Sequence, residues 1–185
     1  LLGHPKIQAA AKSALEEFGA GTHGVRVLAG TTRLHVELEQ TIARFKKTDA
    51  AIALSSGYVT NLGTISTLLG RGDMVISDKL NHASIVDGCL LSRSKFVRFE
   101  HNDMETLEKV LCEAPKKAGK LVVVDAVFSM DGDVADLWRV QLVAREQFQH
   151  AFDLGQLVDT RERRQIVGDF TLTPLDLMAG RTYPD

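Results

Sequence analysis

Apolar positions along the chain repeat at two different periods, and their alternation sets the expected elements. Leu34, Leu38, Ile42 and Phe45 recur at helical spacing, so a helix is expected from about Arg33 to Lys47. Pro5 to Phe18 also reads as a helix, with proline in its first turn and Gly19 just past its end. A glycine-rich loop, Gly19 to Arg33, joins the two. Ala50 to Leu54 is a short apolar run that predicts a strand, and Gly57 to Leu69 a helix. The alternation then continues: strand Met74–Ser77, helix Asn81–Ser92, strand Lys95–Phe99, and helix Asp103–Glu113 with Asp103 as its cap. Leu121 to Phe128 is the strongest strand signal, continuous and β-branched, and Ala135 to Gln149 is a further helix. From His150 the pattern weakens: Arg161-Glu-Arg-Arg164 is a charge cluster, and Gln156–Val158 and Phe170–Leu172 carry only weak strand signals. The expected organisation is therefore one ordered part over residues 1–149 and a divergent tail over 150–185.

Strand and helix in turn, with apolar strands fit for burial on both faces, predict an α/β fold with a largely parallel sheet and right-handed crossovers. Ligands in such sheets bind beyond the carboxyl ends of the strands. Three loops stand there: Ser55–Gly57, Ser77–His82 and Asp125–Asp131.

Composition narrows the function classes. A net charge of −2 excludes a strongly basic nucleic-acid footprint and gives no electrostatic pull toward an anionic membrane. No apolar run approaches the roughly 18 residues of a spanning helix. Cys89 and Cys112 lie far apart, which argues against a disulfide framework or zinc site and makes a reducing cytoplasm the expected compartment. No signal-peptide pattern opens the chain; a start at Leu1 rather than Met fits a piece of a longer protein or a processed start.

Four segments can carry chemistry. In Leu54-Ser-Ser-Gly-Tyr-Val-Thr-Asn61 a small-residue turn leads into a helix, whose free N–H groups and dipole favour a phosphate; a plain cap and tight turn is the bland reading. In Asp78-Lys-Leu-Asn-His-Ala-Ser84 the imidazole of His82 can stack on a planar ligand or move protons, or be merely structural. Asp125, Ser129, Asp131 and Asp133 cluster after the best strand; the spacing invites a cation, but Asp131-Gly-Asp133 is also turn chemistry and no EF-hand pattern follows. Arg26 or Arg33 can grip a carboxylate, or lie on a flexible surface loop. A rival reading is a small serine hydrolase: Ala53-Leu-Ser-Ser-Gly57 imitates a nucleophile elbow at Ser55, with Asp125 as acid and His150 or His101 as base.

Taken in order, Leu2-Gly-His-Pro5, Val25-Arg-Val-Leu-Ala-Gly-Thr31, Leu34-His-Val-Glu-Leu-Glu39, Ser56-Gly-Tyr-Val-Thr-Asn61, Leu80-Asn-His-Ala-Ser84, His101-Asn-Asp103 and Val127-Phe-Ser-Met-Asp-Gly-Asp133 resemble the α-oxoamine synthase family of pyridoxal-phosphate (PLP) enzymes. That resemblance implies a three-layer αβα domain of fold type I, as in aspartate aminotransferase, truncated here to its first part and normally part of a homodimer. It implies condensation of a small amino acid with an acyl-CoA. Ser56, Gly57 and Tyr58 would then hold the PLP phosphate, and His82 would stack on the ring. Ser129 would sit near the phenolic oxygen with Asp125 just behind it, and Asn61 would contact the substrate region. PLP is an electron sink for a carbanion at the amino acid's α-carbon.

The sequence departs from the family in two places. The strand expected to carry the ring-nitrogen carboxylate has its nearest echo in Leu157-Val-Asp-Thr-Arg-Glu-Arg-Arg-Gln-Ile-Val-Gly168, where Asp159 would pair with that nitrogen and Glu162 would replace a histidine. The family also holds PLP covalently on a lysine, and this chain has none after Lys120. The expectation is that the chain alone binds no cofactor covalently and is inactive, or serves as a non-catalytic partner subunit. Exposed surfaces would then favour self-association.

Overall fold

The structure is a computed structural model that describes residues 3–147, 157–159 and 164–166. The chain divides into two compact units, residues 1–53 and residues 54 onward.

The first unit is helical. Helix α1 spans Pro5–Phe18, with the His4 side chain accepting the Lys6 N–H and Gly19 ending it at a positive φ. Helix α2 spans Arg33–Lys46 and opens on a capping box between Thr32 and His35. Arg33 ties the two helices through Glu17 at 2.7 Å and lies over the Phe18 ring. The expected loop between them contains one wide helical turn, Arg26–Gly30, closed by the Gly30 N–H on the Val25 carbonyl. A Cβ on Gly30 would fall 2.3 Å from the Gly24 carbonyl oxygen, so only glycine closes this turn.

The expected strand over Ala50–Leu54 does not form. The Arg26 guanidinium binds both oxygens of Glu39, at 2.6 and 3.0 Å, and donates to the Ala53 carbonyl at 3.0 Å. Glu39 in turn accepts the Ala53 N–H at 2.8 Å. Side chains therefore satisfy the Ala53 backbone groups that a ladder would otherwise take. The carboxylate that Arg26 grips is internal.

The second unit begins with helix α3, Gly57–Leu68. Strand β1 is Met74–Asp78, helix α4 Ala83–Leu91, strand β2 Lys95–Phe99, helix α5 Met104–Glu113 and strand β3 Lys120–Val123. Among the described residues these strands form one parallel sheet in the order β2-β1-β3, with Met74 opposite Lys95 on one side and Lys120 on the other. Strands β4, Val127–Phe128, and β5, Asp133–Val134, form an antiparallel hairpin, and helix α6 follows at Leu137–Gln147.

Strand alternation divides the core between two faces of the sheet. Met74 and Ile76 point toward α5 and α6 and pack with Phe99, Leu107, Leu111 and Val140. Val75 points the other way, with Leu121 and Val123, onto Ile65, Ile85 and Cys89 of α3 and α4. The result is the expected αβα arrangement.

The long strand expected over Leu121–Phe128 is split. It leaves the sheet after Val123 because the Asn81 side chain replaces a neighbouring strand there. The Asn81 amide donates to the Val123 carbonyl at 2.7 Å and accepts the Asp125 N–H at 2.7 Å. Helix α4 starts two residues later than expected, since His82 is its cap. In the tail, β6, Leu157–Asp159, pairs antiparallel with β7, Arg164–Ile166, with Asp159 opposite Arg164. The expected strand at Phe170–Leu172, together with His150 and Glu162, lies outside the described residues. Among the described residues no helix is long and apolar enough to cross a membrane.

Candidate functional site

The parallel sheet brings three turns to one edge, at the carboxyl ends of β1, β2 and β3. Buried Ser77 and Asp78 end β1, and the chain must reverse into α4 within four residues. Asp78 starts that turn by accepting the Leu80 N–H at 2.8 Å. Asn81 is buried and spans back to β1 through the Ser77 hydroxyl at 2.8 Å, as well as across to Val123 and Asp125. Three short bonds from one amide thus fix the spacing between the first and third strand ends.

His82 is fixed on two sides and open on the others. Its backbone N–H donates to Asp125 Oδ2 at 2.7 Å. Its Nδ1 accepts the Ser84 N–H at 3.2 Å and lies 2.7 Å from the Ser84 hydroxyl. The Ser84 hydroxyl accepts from the Asn61 amide at 2.8 Å, which leaves its own hydrogen for His82. This chain places the proton of the neutral imidazole on Nε2. The ring itself is exposed. A flat aromatic surface with a fixed tautomer can stack on a planar ligand. The Tyr58 ring stands edge-on to it, with centroids 6.3 Å apart.

Helix α3 supplies the second part. Ser56 caps it, its hydroxyl accepting the Val59 N–H at 3.3 Å. The N–H groups of Gly57 and Tyr58 precede the first intrahelical bond, which runs from Thr60 to the Ser56 carbonyl. They point out of the helix with the positive end of its dipole, the arrangement that takes a phosphate. The Tyr58 hydroxyl donates to Asp87 of α4, which pushes the phenol upward from its ordinary pKa.

Asp125 lies beneath His82. Burial pushes its carboxyl above the ordinary aspartate range, the His82 N–H works against that, and the charge of Asp78 adds to it. Asn61, expected near the substrate, is buried at 2% exposure and reaches His82 only through Ser84; its Oδ1 has no hydrogen-bond partner. Ser129 is exposed on the turn between β4 and β5. Asp159 ends β6. Ser55 is exposed, and Asp125 is engaged by His82 rather than by a base. Both ring nitrogens of His101 are held by carboxylates, so it is not free to serve Ser55.

Sequence reasoning did not foresee that Asp78, His101 and Asp133 form one network. Nδ1 of His101 lies 3.0 Å from Asp78 and Nε2 lies 2.6 Å from Asp133. The signal was an Asp at a strand end and a His-Asn pair at the next one; only the parallel register of β1 and β2 joins them.

Known proteins match this chain over most of its length. The profile of aminotransferase class I and II covers residues 1–152. The 8-amino-7-oxononanoate synthase of Geobacter sulfurreducens is 54% identical over 137 residues, 74% of this chain and 35% of that protein. That of Bacillus pumilus is 44% identical over 169 residues, 91% of this chain and 42% of its own length. Among solved structures, serine palmitoyltransferase from S. paucimobilis with bound PLP–myriocin superposes with a TM-score of 0.77 at 48% identity, over 78% of this chain and 36% of that one. The 8-amino-7-oxononanoate synthase of Francisella tularensis gives 0.64 at 26% identity, over 76% and 38%. The chain thus spans well under half the length of these relatives. With its sheet order, its strand-end turns and this ordered similarity, the chain belongs to the aminotransferase class I and II family, and within it to the α-oxoamine synthases of fold type I.

Proposed function

We propose that this chain supplies the first part of a PLP-binding large domain, and that the complete protein condenses a small amino acid with an acyl-CoA, as its 8-amino-7-oxononanoate synthase relatives are named for. The observation that carries this reading is the pairing of an exposed, tautomer-fixed His82 ring with the open N-terminus of α3 beside it.

The residues present fit the cofactor. The Gly57 and Tyr58 N–H groups suit its phosphate, with Ser56 holding the turn. The His82 ring suits stacking on its pyridine, and Asn61 and Ser84 keep that ring from rotating. Asp125 holds the His82 backbone from below. Ser129 suits the phenolic oxygen from the hairpin turn. Asp159 is the proposed partner of the ring nitrogen. PLP, when bound, supplies the electron sink that stabilises negative charge at the amino acid's α-carbon. The chain's own residues bind, orient and screen it. Self-association is also proposed, supported by Val27 and Leu28, which are 93% and 85% exposed.

Titration with PLP, followed by visible absorbance, tests the reading. Saturable binding that weakens about tenfold in His82→Ala, equivalent to one stacking contact, is expected, with inorganic phosphate competing. Absence of saturation, or His82→Ala binding equal to the parent in a chain of unchanged far-UV dichroism, overturns it.

A further inference from the structure

The β4–β5 hairpin has only two residues in each strand, too few to be stable by itself. The Gly132 N–H on the Phe128 carbonyl at 2.7 Å and the Ala135 N–H on the Ala126 carbonyl at 3.0 Å close it. Besides the burial of Phe128 and Ala135 in the core, His101 and Asn102, just past β2, tie it to the sheet. Nε2 of His101 meets Asp133 Oδ2 at 2.6 Å, while its Nδ1 is held by Asp78 at the end of β1. Asp78 is 1% exposed and also accepts the Asn102 N–H at 3.1 Å, so that end is anchored in the sheet. The other Asp133 oxygen is buried with no hydrogen-bond partner, which leaves His101 as the contact that compensates the carboxylate. The Phe128 ring of β4 packs edge-on against the same imidazole, with centroids 4.4 Å apart. Asn102 adopts a left-handed backbone, φ 52°, and this lets its amide reach the Val134 carbonyl at 3.2 Å. Both strands of the hairpin are therefore gripped from one point.

The turn so held carries Ser129. We propose that His101 is a positioning residue: bridging Asp78 and Asp133, it clamps the β4–β5 hairpin to the sheet and thereby sets where Ser129 stands. The Ser129 half of this rests on the PLP reading; the clamp does not.

A bridge between two carboxylates needs hydrogen on both ring nitrogens, which is the cation. The histidine pKa is raised above its ordinary 6.5, chiefly by the bond to Asp133, then by Asp78, with burial opposing. The groups facing it are those two carboxylates, from β5 and β1. Asp103, two residues on, is turned to the N–H groups of Glu105 and Thr106. Lys79 and Glu100 pair with each other at the surface, and Asp125 faces His82. A raised folded-state pKa gives stabilisation that is complete below about pH 6.5 and is lost as pH rises through the folded value. The clamp thus loosens once His101 loses its second proton.

The test is amide exchange of the whole chain against pH, corrected for intrinsic rates, in the parent, His101→Gln and Asp133→Asn. Asp133→Asn changes only a rim residue and keeps the test open if His101→Gln fails to fold. Protection of the Gly132 and Ala135 amides is expected to fall roughly tenfold as pH rises above the histidine's titration in the parent. In both variants it should already be low and independent of pH. Parent protection that does not change with pH, or an Asp133→Asn variant that keeps the parent profile, overturns the clamp. With PLP added, absorbance of the bound cofactor should move with the same midpoint, and Ser129→Ala should abolish that movement while leaving the exchange profile intact. Exchange that responds while bound PLP does not overturns the positioning of Ser129. Failure of PLP to bind the parent removes the cofactor reading and with it the Ser129 half, while the clamp is decided by exchange alone.

Discussion

Asn81→Ala should be among the most destabilising substitutions of a polar residue in this chain. The side chain is 7% exposed and makes three short bonds, two of them to backbone groups at the end of β3 and just beyond it. Removing it leaves the Val123 carbonyl and the Asp125 N–H buried without partners. Each such orphan costs about 1–3 kcal/mol, so the pair is expected to cost roughly 2–6 kcal/mol, less what an admitted water restores. A central value of about 3 kcal/mol corresponds to a fall in Tm of roughly 6–12 °C for a chain of this size. Urea unfolding followed by far-UV dichroism measures it, with an unchanged slope showing that the unfolded state is not the cause. Ser77→Ala is the control. It leaves one buried amide hydrogen of Asn81 without its partner and both backbone groups held, so a loss of about 1–3 kcal/mol, smaller than that of Asn81→Ala, is expected. An Asn81→Ala chain within about 0.5 kcal/mol of the parent would show that the strand ends are held by the sheet alone, and would refute the account of why the long apolar segment breaks at Val123.

Three further outcomes are expected. Gly88→Ala should lose about 1–3 kcal/mol in the same assay, because its Cβ would fall 3.0 Å from the Asn61 carbonyl oxygen and 3.1 Å from Ile65 Cβ where α4 packs on α3. A thiol reagent should modify exposed Cys112 quickly and Cys89 only on unfolding, since burial pushes the Cys89 thiol up to about 12; equal rates in the folded chain would contradict its placement. Glu39 is held below the ordinary carboxylate range, chiefly by the Arg26 guanidinium. Its contribution should therefore be present above about pH 4.5 and fade as pH falls through the folded value, and Glu39→Gln should flatten that part of a stability–pH curve.

The elements that sequence pattern located best are those whose period and chemistry agree. The helix from Arg33 and the helix from Gly57 begin where their caps stand, and the strand from Lys95 to Phe99 has the expected bounds. The Ala50–Leu54 strand failed because apolar spacing reports burial, whereas strand pairing depends on where the backbone bonds go. Here a distant Glu39 and Arg26 take them. The same reason explains the break after Val123, where an asparagine 42 residues earlier replaces a strand partner. Ser56, Gly57, Tyr58 and His82 were legible because each sits at a local helix start. Asp78, His101 and Asp133 were not legible as a unit. They are scattered over 55 residues by position, and meet only through parallel pairing.

Strand-end carboxylates give the edge of the sheet an acidic look that its hydrogen bonding contradicts. Asp78 takes the N–H groups of Leu80 and Asn102, Asp103 those of Glu105 and Thr106, and Asp125 that of His82. Every helix from α3 to α5 also directs its N-terminus, and so its positive dipole end, toward this edge. Much of the negative charge there is consumed in holding the chain's own backbone. Counting acidic residues along the sequence therefore overstates how many of these carboxylates stand without a backbone partner at this edge.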